Sequence, residues 1–214
     1  MDLDLHADKE KGTMESESVA SKDASAMNIR KAKELFRDYG REFVIELESV
    51  ARVFRKARIR QPLPNGNFLH ALCLTRVMLQ HTNKSFLMVT GGAGGGFIDC
   101  LIDDFREMLG RIRNAKGAAK ILVVNDGSDD EYLSGLSSEF PDCLEVAYAK
   151  SDSPIRHYIV ADDDMLRDEQ EHPPLSEDSD ADSVVADVYF RNSNIASIFS
   201  ERFERQWQAA TARA

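Results

Sequence analysis

The sequence predicts an α/β fold: a mixed, largely parallel sheet flanked by helices and preceded by one long N-terminal helix. Short apolar runs alternate with segments of helical period from Ser85 onward. Apolar residues between Asn28 and Arg58 recur in steps of three and four, and a Pro/Asn-Gly break at 61–66 separates that helix from the alternating part. At 214 residues and 43% hydrophobic, the chain has material for one ordinary domain and an arm.

Residues 1–26 are Asp, Glu, Ser, Lys and Ala without a period, a composition expected to stay disordered as an acidic tail. Residues 27–61 form the helical arm, with Ile29, Ala32, Phe36, Tyr39, Phe43, Leu47, Val50 and Phe54 on its stripe and Gly40 in its middle. Asn67 can cap a second helix from about Phe68 to Gln80. Ser85–Thr90 and Ala119–Val124 read as buried strands, with a helix between them carrying Ile98, Leu101, Ile102, Phe105, Met108, Leu109 and Ile112. A short helix over Asp129–Phe140 stops at Pro141, and Leu144–Tyr148 alternates as a third strand. Strands at His157–Val160 and from Met165 follow, then an acidic mobile loop at 167–182, a closing strand at Ser183–Phe190, and a final helix from Asn192. Ile195, Phe199, Phe203 and Trp207 make that helix's apolar face. The α/β domain spans 62–212.

A net charge of −10 disfavours strong general binding to nucleic acid, because the mean field repels phosphate. Cys73, Cys100 and Cys143 lie in apolar runs without a Cys-x-x-Cys pair, as buried reduced thiols do. No apolar run is long enough to span a membrane, and the N-terminus lacks an apolar signal core. Together these predict a cytoplasmic protein.

Gly91, Gly92, Gly94, Gly95 and Gly96 follow a strand and precede a helix, where backbone N–H groups could cradle a small anionic ligand. The run satisfies neither the P-loop nor the dinucleotide pattern, and a plain turn is the simpler reading. Asp162, Asp163, Asp164, Asp168, Glu169 and Glu171 lack calcium-loop spacing and read as a solvated acidic loop; His6, His70, His81 and His172 show no ligand spacing. Neither a metal site nor a cofactor is expected. On the arm, Phe36, Phe43, Arg52, Arg55 and Lys56 are candidates for binding a protein partner or a second copy, or the chain's own acidic loop.

His157 and Asp164 are spaced as the outer members of H-x-K-x-x-x-x-D. With the strand order and the closing helix ending F-x-x-x-W, they make residues 67–210 resemble the phospholipase D-like superfamily. The resemblance implies a histidine that attacks phosphorus, an aspartate that orients it, and a lysine that neutralises phosphate. The lysine position holds Ile159, and Arg156 should point to the opposite sheet face. An asparagine following the family motif could correspond to Asn192 or Asn194. Active relatives bring two motifs together, and others are regulatory or binding modules. The expectation is therefore a non-catalytic binding or assembly module, acting in a complex or as a homodimer. The alternatives are a residual phosphodiesterase using His157 and a sensor of an anionic ligand at Gly91–Gly96.

Overall fold

A computed structural model describes residues 27–91, 96–124, 131–150, 156–172 and 174–212. Helix α1 (Ile29–Ala57) starts at Asn28, whose carboxamide oxygen accepts from the Lys31 N–H, and ends where Arg58 turns left-handed. Its face of Ile29, Ala32, Phe36, Gly40, Val44 and Ala51 is buried, chiefly on α2 (Phe68–His81). Short α3 (Phe97–Cys100) and longer α4 (Ile102–Asn114) divide the single helix expected there, and α5 (Glu131–Glu139) and α6 (Ser193–Thr211) complete the helices.

The strands are β1 (Leu63–Asn65), β2 (Ser85–Thr90), β3 (Ala118–Val124), β4 (Leu144–Ala149), β5 (Tyr158–Ala161), β6 (Met165–Glu169) and β7 (Ala186–Tyr189), in the order β1-β7-β6-β5-β2-β3-β4. Only β2–β3 and β3–β4 are parallel; the other four pairings are antiparallel. The α/β class and the mixed sheet stand, with a smaller parallel share than expected, two pairings of six. The sheet's second half is a hairpin, β5–β6, extended by β7 and by β1, which the sequence hid inside the proline break. The loop expected over 167–182 likewise begins with the end of β6.

One sheet face packs under α1, α2 and α4 through Phe86, Met88, Ile121, Ile159, Met165 and Val188. The other packs under α6 through Val89, Leu122, Tyr158, Val160 and Leu166 against Phe203 and Trp207. All three cysteines are free, and burial pushes the Cys73 thiol up to about 11. Asp162 closes the β5–β6 turn in a left-handed conformation, and its carboxylate accepts from the N–H groups of Asn83, Lys84 and Ser85. That contact fixes the hairpin against the start of β2. No helix among the described residues is long and apolar enough to cross a membrane.

Candidate functional site

Strand alternation decides which side chains meet. His157, Ile159 and Ala161 face the α1–α2–α4 side, while Tyr158 and Val160 face α6. Arg156 follows the second set, as expected: it pairs with Asp168 and lies over the Phe199 ring. In the hairpin Ile159 stands opposite Arg167, and the Glu169 N–H donates to the His157 carbonyl. The His157 level therefore carries Glu169 beside it on the same face.

Glu169 is the hub. Its Oε1 lies 3.1 Å from His157 Nδ1 and 2.6 Å from His172 Nε2, and its Oε2 meets Arg167 Nη2. Burial alone would raise this carboxyl, but the Arg167 guanidinium and the hydrogen bonds from both histidines hold it well below the ordinary carboxylate range. With Nδ1 engaged, His157 presents Nε2 outward. A Cβ placed on Gly91 would stand 3.0 Å from that nitrogen, so the imidazole edge lies directly against the first residue of the glycine run. At the other end, Gly96 has φ +66° and touches Lys33 of α1, whose ammonium would lie 2.6 Å from a Cβ there. Lys33 also pairs with Glu177 at 3.2 Å. The turn that lacks a lysine in sequence thus receives one from the arm. Gly92, Gly94 and Gly95 lie outside the described residues.

The same geometry separates the two outer motif residues. Asp164 sits in the β5–β6 turn, at the far end of the hairpin from His157 and roughly 13 Å away by strand rise. It lies 3.9 Å from Arg55, and burial raises its carboxyl against the opposing pull of Arg55 and Arg191. Orientation of His157 falls to Glu169, not Asp164. Asn192 caps α6 and donates its side chain to the Arg60 carbonyl, also near Asp164 and away from His157, since its N–H bonds the Asp164 carbonyl.

Among the described residues, His157, Glu169 and His172 form the one group that could share a metal ion, with donor atoms within 4.8 Å of each other. The 2.6 Å approach of His172 to Glu169 is hydrogen-bond spacing, tighter than the roughly 3.3 Å between tetrahedral ligands at 2.0 Å, and Arg167 already supplies a cation. The donor set fits a proton network better than a metal.

The arm candidates divide. Phe36 is buried under the Arg76 guanidinium, 4.2 Å from its ring, so it belongs to the core and not to a partner surface. Phe43 is 42% exposed, with Tyr39, Val50 and Val53 on the same flank of α1. Arg52 reaches back to Glu48, Lys56 is exposed, and Arg55 turns inward to the Met165 sulfur. The acidic segment at 177–178 pairs with Arg30 and Lys33 at the opposite end of the helix from that basic cluster.

Sequence reasoning missed Arg167, Glu169 and His172 because they were absorbed into an acidic loop. The available signal was the alternation Arg-x-Glu one hairpin turn after His-x-Ile.

No protein-family model matches the sequence, and no curated protein matches it either. Among solved structures, the chain is similar to TrmBL2, an archaeal chromatin protein with a novel mode of DNA binding. The identity is 16% and the TM-score 0.51, over 84% of this chain but 64% of that one. It spans less than two thirds of that protein, and at this identity the likeness is one of fold. Two further matches are Nuc, a phospholipase D family member from Salmonella typhimurium, and the phosphatidylserine synthase of Haemophilus influenzae Rd KW20. Nuc has 14% identity and a TM-score of 0.47, over 69% of this chain and 95% of its own. The synthase has 10% identity and a TM-score of 0.44, over 70% of this chain and 38% of its own.

Proposed function

We propose that this chain is a non-catalytic, phospholipase D-like binding module that takes a phosphate-type anion where His157 meets the glycine turn. The observation that carries the reading is the free edge of His157: Nε2 faces Gly91 while Nδ1 is held by buried Glu169. A phosphate oxygen there could accept from Nε2–H and from turn N–H groups. Calorimetric titration with inorganic phosphate is expected to show saturable binding by the full chain. His157→Ala should remove it, and Gly91→Ala, whose methyl occupies the space beside Nε2, should weaken it about tenfold or more. A wild-type chain that binds no phosphate ends this reading.

The oriented dyad also favours a second reading, residual phosphodiesterase activity, against which stand Ile159 in the lysine position and the single motif. Turnover of a generic phosphodiester by wild type but not by His157→Ala would put catalysis in place of binding. The expectation against general nucleic-acid affinity rests on net charge, and the fold shared with a DNA-binding chromatin protein lends it no support. A duplex oligonucleotide therefore belongs in the same titration.

Assembly through α1 is the other half of the proposal, supported by the exposed flank of Tyr39, Phe43, Val50 and Val53. Sedimentation is expected to show a dimer that Phe43→Glu/Val50→Glu converts to monomer. A wild type that stays monomeric at high concentration removes self-association.

A further inference from the structure

The cation that Ile159 cannot provide is present on the neighbouring strand. Ile159 and Arg167 are directly opposed in the antiparallel register of β5 and β6. Directly opposed residues project from the same sheet face, so the Arg167 guanidinium emerges on the face that carries His157. His-x-Ile on β5 is thus met by Arg-x-Glu on β6.

Arg167 is only 3% exposed, and its guanidinium lies 5.5 Å from the Phe97 ring centre. Phe97 directly follows Gly96, so the guanidinium is placed between the His157–Glu169 pair and the far end of the glycine turn. Its Nη2 contacts Glu169 Oε2, yet neither Nε nor Nη2 finds an acceptor with hydrogen-bond geometry among the described residues. A buried guanidinium with five donors and so few acceptors is costly, and that cost falls if a ligand oxygen completes it.

We infer that Arg167 takes the place of the missing lysine, as the side chain that receives the oxygens of the bound phosphate group. This rests on the reading that the His157–Gly91 mouth binds such an anion. The substitution changes what is recognised. A lysine offers a point charge, whereas the planar fork of arginine matches two phosphate oxygens at once. Glu169 then has two roles: it orients His157 and aims the guanidinium.

Calorimetry with inorganic phosphate tests the inference on four full-length proteins, each checked for cooperative thermal unfolding. Wild type is expected to bind, Arg167→Lys to bind about tenfold more weakly through loss of the fork, and Arg167→Met to lose about a hundredfold or more. Ile159→Lys/Arg167→Met, which returns the cation to β5, is expected to recover at least about tenfold of that loss. If Arg167→Met does not fold, Arg167→Lys keeps the charge and still tests the fork. Binding by wild type with unchanged affinity in the Arg167 variants overturns the role of Arg167 and leaves the site standing. No binding by wild type overturns the site itself.

Discussion

Replacing Glu169 by leucine should destabilise the protein by about 3–5 kcal/mol, because it leaves the Arg167 guanidinium buried and unpaired. His157 and His172 lose their shared acceptor at the same time. In a chain of this length the loss corresponds to a melting-temperature drop of roughly 6–20 °C. Adding Arg167→Met should recover most of it, since removing both charges costs far less than removing one. The same carboxylate gives a signed pH dependence. Its pKa in the folded chain is depressed, so the unfolded chain binds more protons at acid pH. The stabilisation is complete above the unfolded value of about 4.3 and is lost as pH falls from there through the folded value. Denaturant unfolding at stepped acid pH should show this slope in wild type. Glu169→Gln should flatten it, and an identical slope in that variant would assign the acid sensitivity to other carboxylates.

Gly117→Ala should cost about 3 kcal/mol, the upper range for forcing atoms into a packed site. Gly117 follows α4 and leads into β3, after Lys116 has turned left-handed. A Cβ at 117 would lie 1.9 Å from the Lys84 carbonyl oxygen and 2.7 Å from its carbon, both backbone atoms. Neither side has room to yield. The Lys84 N–H is held by the Asp162 carboxylate and its carbonyl accepts from Ala118, while the Gly117 N–H donates to Ile112. Two other glycines serve as internal controls. Gly110 and Gly135 lie within helices with nothing inside 4 Å of a new Cβ, and alanine there should stabilise by about 0.5–1 kcal/mol. Equal effects at the three positions would refute the steric account.

What periodicity encodes was readable in the chain. The stripe of α4 and the Phe203–Trp207 end of the α6 stripe lie buried as their spacing indicates, because an amphipathic face has one stable place to go. Helix α1 follows its stripe only through Ile29, Ala32 and Phe36, and then buries Gly40, Val44 and Ala51 while Tyr39, Phe43 and Val50 stay exposed. Strand direction was less accessible. Alternating strands and helices gave the parallel pairs β2–β3 and β3–β4, but whether β5 enters beside β2 parallel or antiparallel depends on contacts distant in sequence. β1 escaped notice for a similar reason: three residues centred on Pro64 carry no period, and their partner is β7, more than a hundred residues on. The site divides the same way. His157 stood out through its spacing, yet its actual carboxylate partner belongs to a strand pairing that the acidic surroundings of Glu169 concealed. Asp164 had the expected interval and the wrong place, because a hairpin turn carries it away from the histidine.

The first turn of α1 is completed by the segment at 177–181. Ser179 and Glu177 carbonyls accept from the Ile29 and Arg30 N–H groups, and Ala181 donates to the Met27 carbonyl. Helix starts leave such donors without internal partners, and here the partners arrive about 150 residues later in the chain. At translation rates of about 5–20 residues per second, the beginning of this helix waits roughly 8–30 s for the residues that close it. The start of the arm is thus made well before the segment that seals it, and a nascent chain halted before residue 177 carries an open helix end.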